Sequence, residues 1–363
     1  MQCVVGINPE KKEAIDYKEL GEVTFGKIKI IIGIVELAQP DFDASTPDNS
    51  NYVLLRVDAF SCNYRDKSHF VQNYIRAQKY DRLYVPFGSE FCATVVAVGE
   101  DVEEFAVGDK VMSNCAYPDS GVKGVLPGVA TNFASLGWLR LHKNKLMKIP
   151  NTLNDIEAAS FSLGAQTASS MIRRSGILNT GGRPLVFSAR SATSLFIIKQ
   201  LTAYGFEPLC LSTGKWSEED KEKIYPAQVE PISEAKNLQG KFSHVFDPFF
   251  DMNIGKAIDF LQMGGTYITC GLRDQHQLLF DETPGDAEAV VRNAIVQSIV
   301  KNVSIIGNCL GTTDDLTRAL KLQEEKNFKP IIDKVYSASQ GAEFVERSFF
   351  DFGRFGKCVL KYN

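Results

Sequence analysis

Three absences narrow the field for this chain of 363 residues. No apolar run approaches the roughly 20 residues that cross a bilayer, and the opening MQCVVGINPEKKEAIDY has nothing like the apolar stretch of a secretion signal. No CxxC pair occurs. The eight cysteines, at 3, 62, 92, 115, 210, 270, 309 and 358, are scattered, which argues against a disulfide framework or a clustered zinc site. Reduced thiols in the cytoplasm are expected instead. Nor is there a block of Lys or Arg. With a formal net charge of −4, nucleic acid and anionic membrane are not expected partners, and a small molecule is.

What is present is ordered in two styles. Residues 52–115 read as β-rich: NYVLLRVDAF alternates, and EFCATVVAVG followed by FAVGDKVMS reads as strand, turn, strand. A helical pattern follows over 155–175 (DIEAASFSLGAQTASSMIRRS), with Asn154 or Asp155 as N-cap. Then strands and helices alternate. RPLVFSA precedes the helix TSLFIIKQLTAYG, FEPLCLS precedes WSEEDKEKIY, and HVFDP precedes NIGKAIDFLQMGG and the strand TYITCGL. Strands separated by helices of this length predict a doubly wound parallel sheet and an α/β class. The length suits two domains.

Seven stretches, VLLRVDAFSCNYRD, VPFGSEFCATVVAVGEDVEEFAVGDKV, DIEAASFSLGAQTA, HVFDPFFD, QMGGTYITCGL, FKPIIDKVY and FGRFGKCVL, occur in the order of one known family. Together they resemble the medium-chain dehydrogenase/reductase superfamily over nearly the whole chain. The resemblance implies a GroES-like β-rich catalytic domain over 1–155 and 309–363, interrupted by a Rossmann nucleotide-binding domain over 156–308. It further implies a nicotinamide cofactor, a cleft between the domains and a homodimer formed through edge strands near 302–308.

The pattern departs from the zinc-dependent branch. Where that branch has a Cys and the His of a GHE motif, this chain resembles it with Asn63 and Ser89, keeping only Glu90. One carboxylate does not hold a catalytic Zn²⁺, which needs about three protein ligands. Only Cys115 lies where a structural four-Cys lobe would be. No metal is therefore expected. The zinc-free quinone oxidoreductases and enoyl reductases are the nearer likeness, through Asn63-Tyr64-Arg65-Asp66. In mitochondrial-type enoyl reductases a tyrosine follows that asparagine by eleven positions, as Tyr74 does here. The resemblance makes Tyr74 the candidate proton donor and Asn63 a cleft residue. The plainer reading makes Tyr74 an aromatic packing residue in a loop with Tyr80 and Tyr84.

A dinucleotide turn normally reads GxGxxG, so that backbone N–H groups approach the pyrophosphate. Here PLVF runs into Ser188-Ala189-Arg190-Ser191-Ala192-Thr193-Ser194, without glycine. Either small residues and hydroxyls bind phosphate at the start of a helix, or nucleotide binding has been lost and the fold is a non-catalytic binding protein. The next strand ends in Ser212-Thr213-Gly214-Lys215, with no acid before Glu218 to hold a ribose 2′-OH. That favours a 2′-phosphate and hence NADPH, with Arg190 and Lys215 as cations, although Lys215 reads equally as solvated surface charge. The resemblance adds Cys270, Gly271, Leu272 and Lys357 as cofactor contacts. Asp247, in VFDP, reads as a turn former at a strand end. The expected reaction is NADPH-dependent reduction of a polarised C=C bond in an enone, quinone, enoyl thioester or dehydroamino acid. The last resembles the work of lanthipeptide dehydrogenases on dehydroalanine in a peptide.

Overall fold

In the alternating segment NYVLLRVDAF, Val53, Leu55 and Val57 are wholly buried, which makes Tyr52–Ser61 a strand with one face on a core. The computed structural model describes residues 1–273, 287–351 and 353–362. Its contacts divide them into two units: 1–163 with 332–362, and 164–273 with 287–331. No helix among the described residues is long and apolar enough to cross a membrane.

The first unit holds two sheets, and the larger has seven strands. Tyr52–Ser61 lies between Glu90–Val98 and Lys357–Lys361, antiparallel to both. The register sets Ser61 opposite Glu90 on one side and Val359 on the other. Two residues further along, Lys357 therefore comes opposite Asn63. A ladder of hydrogen bonds thus brings together residues almost three hundred positions apart. Aromatic rings fill the core beneath, with Phe70 and Phe87 centroids 4.8 Å apart and Phe60 and Phe344 5.4 Å apart.

The stretch read above as a loop around Tyr74 is a helix, Tyr64–Lys79. Its buried face includes Phe70, Val71, Tyr74 and Ala77, spaced at i, i+1, i+4 and i+7. The 155–175 helix is broken in two, Asp155–Ala158 and Ser162–Ser175, because Ser160 Oγ donates back to the Ile156 and Glu157 carbonyls.

The second unit is a six-stranded sheet, all parallel. Its order is Gln228–Pro231, Leu209–Ser212, Pro184–Val186, Phe242–Asp247, Leu261–Thr269 and Ser304–Gly307. Covered on both faces, the central strands are continuous apolar runs, with Leu185, Phe187, Leu211, Val245 and Tyr267 in one core. The segment LQMGG, expected to end a helix, belongs instead to Leu261–Thr269. The helix before it stops at Phe260, and the strand absorbs the glycines through a register shift against its neighbour. The helix Thr313–Lys326, expected in the catalytic domain, packs in this unit against Ala192–Ala203. Its Asp315 also holds Arg173 in a two-pronged ion pair at 2.8 and 2.9 Å.

Candidate functional site

In the first unit a closed polar cluster gathers where Tyr52–Ser61 gives way to the helix Tyr64–Lys79. Lys357 Nζ lies 2.7 Å from Glu90 Oε2 and 2.7 Å from Asn63 Oδ1, and it also donates to Ser61 Oγ at 3.3 Å and the Cys62 carbonyl at 3.2 Å. Both members of this ion pair are shut away from water, at 2% and 0% exposure. Asn63 Nδ2 donates to Ser89 Oγ and Glu90 Oε2, each at 3.2 Å. Ser89 in turn donates to Asp66 Oδ2 at 2.7 Å, and the same oxygen accepts from the Asn63 backbone. Arg65 balances Asp66 at 3.0 Å. Glu90 Oε1 accepts from Leu163 N at 2.8 Å and from Ser162 Oγ. Two carboxylates and two cations therefore leave the cluster formally neutral, which is how buried charge is tolerated.

The positions aligned above with zinc ligands and cofactor contacts thus meet around an ammonium group. Asn63 and Lys357 are together. Tyr74 is not with them: eleven residues along the same helix is about 16 Å at 1.5 Å per residue. Its phenol is buried in the apolar core, and burial raises it above the ordinary tyrosine value. Asp66 was read only as part of the Asn63-Tyr64-Arg65-Asp66 motif, and Ser162 escaped the sequence reading, since only the fold brings it to Glu90 Oε1. Among the described residues one other group offers metal-type donors, Asp58, Cys92 and Asp155, with ligand atoms within 4.8 Å of one another. Lys110 Nζ already lies 2.9 Å from both carboxylates, and burial pushes the Cys92 thiol up, so it stays protonated.

In the second unit the turn 188–194 leaves the strand Pro184–Val186 and enters the helix Ala192–Ala203. Ser188 has φ +50°, the left-handed region that glycine occupies most readily. Its carbonyl accepts from Ser191 N at 2.8 Å, and Ala189 N bonds to the Leu211 carbonyl. Ser191 is the N-cap: its Oγ accepts from Ser194 N and donates to Ser194 Oγ, which donates to the Phe187 carbonyl at 2.7 Å. Those two hydroxyls are thus committed within the protein. Ala192 and Thr193 open the helix and are half-buried.

Arg190 reaches across to the end of the next strand. Its guanidinium meets Asp220 at 3.0 Å and the Lys215 carbonyl at 2.8 Å, over the Trp216 ring. A side chain on Gly214 would meet Arg190 Cδ at 2.8 Å, so the glycine leaves room for this crossing. Ser212 Oγ accepts from Gly214 N, while Thr213 and Lys215 are exposed. The acid missing from the strand end is therefore supplied further on, by Asp220, directed at the arginine.

Asp247, read as a turn former, does accept from Phe249 N at 2.9 Å, but it does more. Wholly buried, it takes Tyr267 OH at 2.6 Å and Asn253 Nδ2 at 2.8 Å. Burial raises its carboxyl above the usual range despite these bonds. Asn253 itself went unread. The signal was an amide on the apolar face of a helix, beside Ile254, Ala257 and Ile258. Cys270, Gly271 and Leu272 follow the strand Leu261–Thr269. Burial pushes the Cys270 thiol up to about 12, and Leu272 is exposed. Gly271 packs so closely that a Cβ would meet the Pro248 carbonyl oxygen at 2.8 Å.

Comparison with known proteins places this geometry among relatives. The alcohol dehydrogenase GroES-like domain family matches residues 49–151. Acryloyl-coenzyme A reductase of Sulfurisphaera tokodaii is 25% identical over 331 residues, covering 85% of this chain and 92% of the relative. Quinone oxidoreductase of Homo sapiens is 24% identical, covering 85% and 88%. The crystal structure of an NAD-dependent alcohol dehydrogenase superposes with a TM-score of 0.72 at 19% identity, covering 92% and 96%. That last likeness is one of fold alone.

Proposed function

The chain belongs to the medium-chain dehydrogenase/reductase superfamily, and from that premise we propose that it is a zinc-independent, NADPH-dependent reductase of a polarised C=C bond. The observation that carries this reading is the Lys357 ammonium held 2.7 Å from both Glu90 and Asn63. The group already against these donors is a cation, the second carboxylate, Asp66, is paired with Arg65, and the remaining donors are an amide and hydroxyls. Such a set does not fit Zn²⁺, which takes thiolate, imidazole and carboxylate. Reduction of an alcohol-type carbonyl by metal polarisation is correspondingly disfavoured. The acryloyl-thioester and quinone relatives favour an activated alkene or a quinone as acceptor.

The residues of the second unit that would hold NADPH are the turn 188–194, the helix start behind it and the Arg190 guanidinium; when bound it would supply a hydride. The protein's own part is charge stabilisation. Hydride addition to the β-carbon of an enone or thioester leaves enolate-like charge on oxygen. Asn63 Nδ2 spends its hydrogens on two bonds of 3.2 Å, the long end for N–H···O. Of the two, the bond to the neutral Ser89 hydroxyl is the cheaper to give up for a substrate oxygen. Lys357, bonded to the amide oxygen, polarises that amide and holds its donor face in place. Tyr74 has no part in this scheme, and the proton comes from water.

A second copy of the chain is the proposed partner. Val290, Ile295, Ile299 and Val300 are exposed on the helix Ala287–Lys301, beside the edge strand Ser304–Gly307 with its exposed Ile305. An apolar face beside an open sheet edge is a template for pairing. The cytoplasm is the proposed compartment, on the scattered cysteines of the sequence.

The test is nucleotide-linked stabilisation. NADPH at a hundredfold its Kd should stabilise the protein by about 2.7 kcal/mol, and NADH at the same concentration by less. Consumption of NADPH should then require an activated alkene or quinone and survive chelators. The alternative is a binding protein that has lost its cofactor, favoured by a turn whose Ser191 and Ser194 hydroxyls are committed internally. No shift with either nucleotide at millimolar concentration would decide for it.

A further inference from the structure

A turn without glycine still needs one residue in the left-handed conformation, and here an L-amino acid, Ser188, takes it at φ +50°. Side chains with a Cβ resist that region, so something must hold it. One neighbour is suited to do so. Asn253 Nδ2 lies 3.3 Å from Ser188 Oγ, 2.8 Å from Asp247 Oδ1 and 3.4 Å from the Phe249 carbonyl. Asp247 is immobilised in turn by Tyr267 OH at 2.6 Å and Phe249 N at 2.9 Å. Tyr267 and Asp247 are both fully buried, and Asn253 nearly so.

We infer that Asn253, aimed by the buried Asp247–Tyr267 pair, is a positioning residue that locks Ser188 in the conformation a glycine would otherwise supply. The chain of contacts runs from the sheet interior outward: phenol to carboxylate, carboxylate to amide, amide to hydroxyl. Because Ser188 Oγ accepts from Asn253, its own hydrogen stays available for a phosphate oxygen. The lock therefore does two things, fixing the backbone and orienting the hydroxyl. This deepens the reading of the turn as an NADPH site and rests on it for its functional consequence, though not for its conformational one.

The experiment compares Asn253→Ala, Ser188→Ala and Ser188→Gly, singly and combined, in the full-length protein. Melting without nucleotide and NADPH affinity are read for each. Asn253→Ala and Ser188→Ala should each weaken NADPH roughly five- to thirtyfold, the range that corresponds to the strain of a left-handed L-residue. Their combined loss should be clearly smaller than the sum of the two, because one bond is common to both. Ser188→Gly should keep the parent's melting temperature and lose only the affinity that the Ser188 hydroxyl itself contributes. Placed on Asn253→Ala, it should raise the melting temperature by more than it does in the parent, since glycine needs no lock, while the loss at Asp247 remains. A purely structural amide would not be rescued by a change at residue 188.

Additive losses in the Ala/Ala combination, or no rescue by glycine in the melting of the nucleotide-free protein, would overturn the inference. If rescue appears in melting but the parent binds no NADPH, the lock stands and the cofactor reading falls. Because Ser188→Ala lies on a half-exposed turn, it reports even if Asn253→Ala fails to fold.

Discussion

The polar cluster of the first unit and the turn of the second depart from their family patterns in opposite ways. Around Glu90 the metal-ligand positions are filled by neutral side chains, and the positive charge arrives as a buried ammonium from the far end of the chain, Lys357. At residues 188–194 glycine is replaced by small residues, and the compensation is a neutral amide, Asn253, acting on a backbone torsion. The two solutions differ in energy scale. A buried ion pair is costly to break from one side, because the remaining charge is left unpaired in low dielectric. A neutral hydrogen bond on a half-exposed serine contributes on the order of 1 kcal/mol. The first unit should therefore be brittle to single changes and the second forgiving.

The sharpest way to break that contrast is Lys357→Met. It should cost about 3–5 kcal/mol in denaturant unfolding of the first unit, while Lys357→Met combined with Glu90→Gln should recover much of the loss. A single-variant loss under about 1 kcal/mol would show that the pair is not effectively buried. Next in size, Arg190→Ala should weaken NADPH about tenfold, near 1.4 kcal/mol, and leave NADH nearly unchanged. Equal losses for both nucleotides would remove the 2′-phosphate from the argument, since Arg190 also meets Asp220.

A smaller effect concerns acid. Burial alone would raise the Asp315 carboxyl, but bonds from Arg173 and Thr312 overcome it and hold it below its ordinary 3.8. A carboxyl lowered in the fold adds stability above its unfolded value and loses it as pH falls through the folded one. Arg173→Ala should thus move acid unfolding of the second unit to higher pH and cost roughly 1 kcal/mol at neutrality, Arg173 being partly exposed. An unmoved acid midpoint would show the pair to be idle. Smallest of all, Tyr74→Phe should leave turnover within about twofold. A larger fall would put the phenol back into the chemistry and require that buried helix face to open.

Legibility followed the range of the interactions. The parallel sheet was readable because its strands are short apolar runs spaced by helices, a local pattern. The helix Tyr64–Lys79 was missed although its buried residues keep helical spacing, because its tyrosines read as aromatic packing in a loop. The break at Ser160 and the strand LQMGGTYIT were obscured by one hydroxyl and a pair of glycines whose effects depend on neighbours. At the candidate site, Asn63 and Lys357 were both singled out, but for separate tasks. Nothing in either segment announces that they touch.

Composition and local order in the sequence determined the α/β class, the family likeness, the loss of the usual zinc ligands and a turn without glycine. These depend on residue identity and on spacing within a few turns of chain. Only the tertiary structure decided what replaced the missing pieces. The register of Lys357–Lys361 against Tyr52–Ser61 carries an ammonium to Glu90, and the packing of the helix Phe250–Phe260 carries an amide to Ser188. Both are contacts across long sequence separation, fixed by strand pairing and core packing, and no local pattern encodes them.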